Sequence, residues 1–286
     1  MEHSLPQILE CPVCHGSLQF EGTKSKDRLV EGSLFCPNGH LYQVKDEIPL
    51  IKDPKLSRDE FVWKVEFPNL QRYEEIQRQY GSYLSEELKE ADNALLNELA
   101  EGVSDEKIVL DIASGMGRLL LVLSQCLGEG TTILGIDVNE KPLRGAKLKL
   151  QKQNSYDRIS LCVMDGKHLA IQPQKIPCAT SFFGLDNIPN AKKAFEELHR
   201  TLTRNGRVAL ATLWLREESR SITLAEKHGY GAIATEERLI QTLEQTGFKV
   251  ISVQTFYSGK WPHNPMDLIP VEDDWFAHSL VLALKA

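Results

Sequence analysis

Short apolar runs alternate with amphipathic stretches along most of this chain. Ile108 to Leu110, Thr131 to Asp137, Ile159 to Met164 and Pro177 to Phe183 are each rich in β-branched or other apolar residues, and each ends at polar or turn residues. Runs of that length and composition predict strands buried on both faces, as in a parallel sheet. Three more follow at Arg207 to Leu215, Lys249 to Tyr257 and His278 to Leu284. Between them lie helical patterns. Leu119 to Leu123 opens one, and Asn139 and Glu140 start another with Pro142 in its first turn. Ala191 to Leu202 places Ala194, Phe195, Leu198 and Leu202 on one face, with Asn205-Gly206 expected to end it before the next strand, and Thr235 to Thr246 makes the last helix. Strands alternating with helices of this length predict an α/β protein built on an open sheet.

The segment before the first of these strands is different. From about Asn69 to Glu101 the apolar residues Leu70, Tyr73, Ile76, Tyr80, Leu84, Leu88, Leu95, Leu96 and Leu99 recur at helical steps, and Gly81 is expected to divide two helices. Residues 52 to 68 carry Pro54, Pro68 and mixed charge, the composition of a linker. The expected organisation is therefore a small module over residues 1–52, a linker and helical segment over 53–104, and the main domain over 105–286. Two polar or Pro-rich stretches, 216 to 232 and 258 to 274, interrupt the later part. The first is where acceptor recognition is expected, because loops over the strand ends vary with substrate.

Composition narrows the class. An apolar fraction of 42% and a charged fraction of 26% are those of a globular protein, and no run approaches the roughly eighteen apolar residues of a membrane helix. The start, Met-Glu-His-Ser-Leu-Pro, lacks the basic and apolar regions of a signal peptide, so a cytoplasmic location is expected. Net charge of −7 argues against a surface given over wholly to nucleic acid, without excluding a local basic patch.

Two cysteine motifs stand near the N-terminus. Cys11-Pro-Val-Cys14 is followed, after twenty-one residues, by Cys36-Pro-Asn-Gly-His40. Cys11, Cys14, Cys36 and His40 make a Cys3His set of the kind that holds structural zinc, and Leu18 to Phe35 between them alternates as a short hairpin would. His15 competes for the fourth position, and reduced cysteines or a disulfide are the other readings. A module this small buries too little to stand unaided, so a metal would supply the missing stability. Cys126, Cys162 and Cys178 stand singly in apolar surroundings and read as core residues.

The chemistry concentrates at Asp111-Ile-Ala-Ser-Gly-Met-Gly117, where a strand gives way to a glycine-rich turn and a helix. Glycine lets a ligand approach the backbone, and a helix N-terminus offers free N–H groups. A nicotinamide cofactor would use a similar turn, but Asp111 would crowd its pyrophosphate, whereas a ligand with a cationic tail would be attracted. Asp-x-x-x-Gly-x-Gly resembles the first motif of class I S-adenosylmethionine (SAM)-dependent methyltransferases, with Ala113 standing where the family usually has Gly. That resemblance covers about two-thirds of the chain. It implies a Rossmann-like, seven-stranded, mostly parallel sheet whose last strand is antiparallel.

The same resemblance orders the other candidates. Asp137, at the end of the second strand, would accept both ribose hydroxyls, with Val138 against the adenine. Asp165-Gly166 after the third strand resembles the motif that meets the adenine amino group. Ala113, Ser114, Gly115 and Gly117 form the turn, and Phe182 or Phe183 walls the adenine or the acceptor. Asp186 is the candidate base, with Asn187 beside it. The Asn/Asp-Pro-Pro-Tyr/Phe motif of enzymes that methylate amino groups on nucleic acids is missing at this position. The helices before the core imply a lid, with Tyr80 and Tyr83 as its candidate residues. The cysteine module is similar to the N-terminal zinc module of bacterial ribosomal-RNA guanine methyltransferases, and also to small zinc-ribbon partners of methyltransferases, including Ile48-Pro49-Leu50. Taken together, the expectation is methyl transfer from SAM to a small molecule or to RNA. A SAM-binding subunit with an idle acceptor site and a nicotinamide-dependent reductase are the competing readings.

Overall fold

The structure, a computed structural model, describes residues 1–52 and 70–286, together with the backbone but not the side chains of Leu70 and Tyr73. The expected linker thus lies largely outside the described residues.

The N-terminal module is a four-stranded antiparallel sheet in the order β1-β2-β3-β4, with β1 at Gln19–Ser25, β2 at Arg28–Phe35, β3 at Leu41–Lys45 and β4 at Ile48–Pro49. Residues 18 to 35 do form the expected hairpin, Phe20 pairing with Leu34 and Ser25 with Arg28.

Seven strands build the second sheet: β5 (Ile108–Ile112), β6 (Thr132–Asp137), β7 (Ile159–Val163), β8 (Ile176–Phe182), β9 (Leu202–Leu215), β10 (Phe248–Lys260) and β11 (Trp275–Lys285). Their order is β10-β11-β9-β8-β5-β6-β7. The pairs β5–β6, β5–β8, β6–β7 and β8–β9 are parallel, and β11 runs antiparallel between β9 and β10. The order reverses beside β5, so the carboxyl ends of β5 and β8 diverge and open the crevice where open α/β sheets bind ligands. The Rossmann-like expectation, including the antiparallel last strand, is what the sheet shows.

Helices cover both faces: α3 (Arg118–Cys126), α4 (Glu140–Lys152), α5 (Lys192–Thr201), α6 (Arg220–Lys227) and α7 (Glu236–Gln245). Ahead of them α1 spans Leu70–Ser82 and α2 spans Glu86–Glu101. The break falls after Gly81, at Tyr83 and Leu84, because Ser85 caps α2 by accepting from the Leu88 N–H at 3.2 Å. Leu88, Leu95, Leu96 and Leu99 bury the inner face of α2, making it a core helix. Asn205-Gly206 does not end α5. Leu202 passes straight from helix to strand, and Asn205, at φ 59°, sits in an irregularity where β9 shifts register against β8. Cys162 and Cys178 are core residues, whereas Cys126, at the last turn of α3, is exposed. Among the described residues no helix is long and apolar enough to cross a membrane.

The small module continues the large sheet. Leu50 bridges Val163 in parallel, and the Ile51 N–H donates to the Val163 carbonyl at 2.9 Å. That contact occupies part of the β7 edge, which would otherwise present unpaired groups. Charged pairs reinforce it: Lys147 on α4 meets Asp46 at 2.6 Å, and Arg200 on α5 meets Glu10 at 2.9 Å. Leu9, Leu34, Val44 and Ile51 of the module share one apolar core with Leu110, Ile136 and Cys162 of the sheet.

Candidate functional site

The turn after β5 is built from left-handed backbone. Ala113, Gly115 and Gly117 have φ of 54°, 51° and 72°. For Ala113 that conformation costs about 1–2 kcal/mol because its Cβ crowds the next carbonyl. The departure from the usual Gly at this position is therefore met as backbone strain. Strain of this kind persists only where surrounding contacts impose it, and here they do. The Ser114 N–H donates to the Ile136 carbonyl, its hydroxyl donates to the Asp111 carbonyl at 2.9 Å, and the Gly117 N–H donates to the Ser114 carbonyl. A Cβ on Gly115 would meet nothing within 4 Å, so the turn faces open space at that residue.

Two of the three strand-end acids converge on this turn. The Gly115 N–H donates to Asp137 Oδ2 and the Asn139 N–H to Asp137 Oδ1, both at 2.9 Å. Burial pushes the Asp137 carboxyl up, while those two N–H groups hold it down. Asp111 is 1% exposed. Burial raises its carboxyl to about 7, against hydrogen bonding from Ser114 and Thr180 and with the Asp137 charge raising it further. The Thr180 hydroxyl on β8 donates to Asp111 Oδ1 at 3.1 Å. An anion this deeply desolvated gains from a cation placed against it. Asp165 is half-buried past the end of β7, its Oδ1 accepting from the Lys167 N–H at 2.8 Å, with Gly166 tight against Ile188 and Ile112. Val138, the proposed adenine contact, is 36% exposed, unusual for an apolar residue beside such a core.

Beyond Phe183 lies a cavity of about 700 Å³, roofed by α1 and α2 and floored by β9 and β11. Asp111, Asp137 and Asp165 do not line it; Phe183 and Asp186 do. Phe183 has φ of 51°, costly for a bulky residue, and its ring stands 4.4 Å from that of His278. Asp186 is held on both oxygens, accepting from Thr212 Oγ1 at 2.7 Å and from the Leu213 N–H at 3.0 Å, and burial raises its carboxyl to about 7. Asn187 donates to the Phe183 carbonyl at 2.8 Å. Of the two tyrosines expected over the site, Tyr80 lines the cavity and Tyr83 does not.

The cavity also holds residues not singled out as candidates above. His278 on β11 and Asp92 on α2 are both buried and meet at 2.6 Å through Nδ1 and Oδ1. Asp267 faces Tyr80 and Trp261, and burial raises its carboxyl to about 6. Residues 216 to 232, expected to recognise the acceptor, supply Ala225 and Tyr230, while 261 to 270 supply more of the wall. One signal was present: Asp92 interrupts the apolar stripe Leu88-Leu95-Leu96-Leu99, and a carboxylate inside such a stripe needs a buried partner.

In the N-terminal module the Cys11, Cys14 and Cys36 sulfurs and a His40 nitrogen all lie within 4.8 Å of one another. Cys14 and Cys36 Sγ are 3.6 Å apart, and His40 Nδ1 is 3.5 Å from Cys11 Sγ and 3.3 Å from Cys36 Sγ. Bond lengths of about 2.3 and 2.0 Å to one tetrahedral zinc would set edges of roughly 3.5–3.8 Å. The donor set fits the ion. His15 turns aside to Glu10 at 3.0 Å, and the Tyr42 hydroxyl reaches Cys11 Sγ at 3.1 Å.

Comparisons with known proteins bear on the large domain. A family model described as a methyltransferase domain matches residues 103–265, more than half of the chain. The chain belongs to that family, and this segment is a SAM-dependent methyltransferase domain. The demethylmenaquinone methyltransferase of Lactobacillus johnsonii is 34% identical over 101 residues, 35% of this chain and 41% of that protein. The ubiquinone/menaquinone biosynthesis C-methyltransferase UbiE of Pectobacterium carotovorum is 32% identical over 107 residues, 37% and 43% of the two chains. The chain thus spans less than half the length of these curated relatives. A SAM-dependent methyltransferase from Aquifex aeolicus shares the fold, with a TM-score of 0.52 at 18% identity, covering 77% of this chain and all of that one.

Proposed function

We propose that this chain transfers the methyl group of SAM to a small, largely apolar molecule held in the cavity beyond Phe183. The observation that carries this reading is the cavity itself. A cleft of about 700 Å³ with mainly apolar walls falls within the range of roughly 300–1,000 Å³ typical of small-molecule sites. It begins where β8 ends, as expected of an acceptor site. The quinone-named relatives point the same way, and the acidic net charge disfavours RNA.

In this reading SAM supplies an electrophilic methyl group on a sulfonium. The residues hold and orient. Asp137 accepts the two ribose hydroxyls, with two oxygens matching two adjacent donors. Asp111 offers negative potential to the amino-acid end through the turn formed by Ala113, Ser114, Gly115 and Gly117. Val138 covers one adenine face, while Asp165 and Gly166 meet its edge. Phe183 separates the cofactor groove from the acceptor cavity, and Asp186 fixes the β9 wall of that cavity. Catalysis then rests mainly on alignment, because an in-line transfer gains most from holding both partners close.

Cys11, Cys14, Cys36 and His40 would hold zinc as a structural ion that closes the module lying against β7. It takes no part in the transfer.

Incubation with methyl-labelled SAM and a lysate, followed by fractionation, tests the reading. Label in organic-extractable small molecules supports it. Label confined to RNA or protein, or no label, overturns it.

A further inference from the structure

The acceptor cavity contains one arrangement that packing alone does not account for. His278 is 5% exposed and Asp92 7%, and they face each other from β11 and α2 with Nδ1 and Oδ1 2.6 Å apart. A carboxylate on Nδ1 fixes the orientation and tautomer of the ring and leaves the other nitrogen to accept a hydrogen bond. That other nitrogen, Nε2, has no hydrogen-bond partner among the described residues, in a ring that lines the cavity. The surroundings are aromatic: Phe183 at 4.4 Å, Phe276 at 5.0 Å and Trp261 at 6.3 Å between ring centroids. Among the described residues Nε2 is not one of the buried side-chain atoms left without a partner, so it is open to the cavity, where a ligand hydroxyl can reach it.

The other titratable groups facing this space are differently occupied. Asp186 is engaged on both oxygens by β9. Asp267 accepts from the Asn264 amide at 2.7 Å and faces Tyr80 and Trp261. Lys89 and Arg118 add positive charge to the rim, each bonded to a neighbour, Glu86 and Asn93 respectively. Aromatic rings around a histidine nitrogen that opens on the cavity favour one kind of guest: a planar ring bearing an acidic hydroxyl, meaning a phenol or enol but not an aliphatic alcohol.

We infer that His278, oriented by Asp92, is the catalytic base that takes the proton from such a hydroxyl on the acceptor. This rests on the small-molecule reading above. The hydroxyl O–H bond breaks, its proton passes to Nε2 and its electron pair stays on oxygen. That pair forms the new O–C bond to the methyl carbon as the S–C bond breaks, and the S–C electrons remain on sulfur, leaving S-adenosylhomocysteine. The proton on His278 is then released to solvent. Asp92 touches no reacting atom and acts as a positioning residue.

The test uses 4-nitrophenol, whose phenolate alone absorbs visible light, titrated into the full chain saturated with S-adenosylhomocysteine across a pH series. In the unaltered protein the bound probe should ionise at a proton concentration at least about tenfold higher than the free probe does, as a cationic partner for the phenolate requires. His278→Gln should abolish that shift and Asp92→Asn should reduce it, with S-adenosylhomocysteine affinity unchanged in both. Should His278→Gln fail to fold, Asp92→Asn and the unaltered protein decide the matter. Equal ionisation of the probe in the unaltered protein and in either variant, or no binding of the probe at all, overturns the inference. Because the readout is ionisation, it fails separately from the labelling experiment, which alone decides whether a small molecule is methylated.

Discussion

The backbone N–H of Gly115 donates to Asp137 Oδ2 at 2.9 Å, so one hydrogen bond ties the glycine turn after β5 to the end of β6. The acid proposed for the ribose thus also shapes the turn. Asp137→Ala should lower S-adenosylhomocysteine affinity by about a hundredfold, because each hydrogen bond to a charged group is worth about 1.5–3 kcal/mol. It should also cost roughly 1–2 kcal/mol of stability through the lost Gly115 and Asn139 contacts. Calorimetric titration and denaturant unfolding check the two effects separately, and unchanged affinity contradicts the ribose assignment.

Asp111 makes stability depend on pH in an uncommon direction. Its folded-state carboxyl, at about 7, lies above the unfolded value near 3.8. Between those values the native state binds the extra proton, so this contribution is fully present at low pH and is lost as pH rises through about 7. Asp111→Asn removes the penalty of the buried charge. The variant should be more stable than the unaltered protein at pH 8 by a few kcal/mol, since each tenfold difference in proton affinity between the folded and unfolded chains is worth about 1.4 kcal/mol. That advantage should vanish near pH 4. Parallel stability curves for the two proteins would contradict the assignment.

A proton should also move when the cofactor binds. If its cationic end approaches Asp111, binding below about pH 7 displaces the Asp111 proton, and affinity should rise as pH rises toward 7. Calorimetry in buffers of different ionisation enthalpy counts that proton. A count of zero near pH 6 would place the charge elsewhere.

Gly184 carries a constraint not apparent from the motif. A Cβ added there would stand 2.8 Å from Ala113 Cβ and 2.8 Å from Ser181 Oγ. Gly184→Ala should therefore cost about 1–3 kcal/mol and weaken cofactor binding by pushing on the turn. Ala113→Gly in the same chain should recover part of the loss, since the two positions touch. Thermal melts of the single and double variants measure the coupling, and an unaffected Gly184→Ala protein would refute it.

If Cys11, Cys14, Cys36 and His40 hold zinc as proposed, its removal should be felt beyond the N-terminal module. Ile51 donates to Val163, and the module shares a core with the large sheet. Chelation or Cys36→Ser should speed amide exchange at least about tenfold in β3 and β4 and also in β7, because local openings follow packed contacts. Elemental analysis should find one zinc per chain. Full protection of β7 after zinc loss would show the two parts to be independent.

The sheet and the placing of candidate residues at its strand ends were legible in the order of residues. Asp111, Asp137 and Asp165 at successive strand ends, and the cysteine spacing, report local rules in which a turn or a metal needs certain residues at fixed offsets. Long-range pairing carried no such signature. His278 reads as one polar residue in a strand and Asp92 as one charge on a helix, 186 positions apart, and only the packing of α2 against the sheet brings them to 2.6 Å. The Asn205-Gly206 pair misled for a related reason. It resembles a helix stop, but α5 had already ended at Thr201, and the pair was needed instead to let β9 slip past β8.

The most direct test of the proposed site is a crystal structure of the chain with S-adenosylhomocysteine. The ribose hydroxyls should lie on Asp137, the adenine between Val138 and the Asp165-Gly166 turn, and the sulfur should face the acceptor cavity past Phe183. Ligand bound away from the Asp111–Gly117 turn, or a sulfur facing away from the cavity, would contradict it.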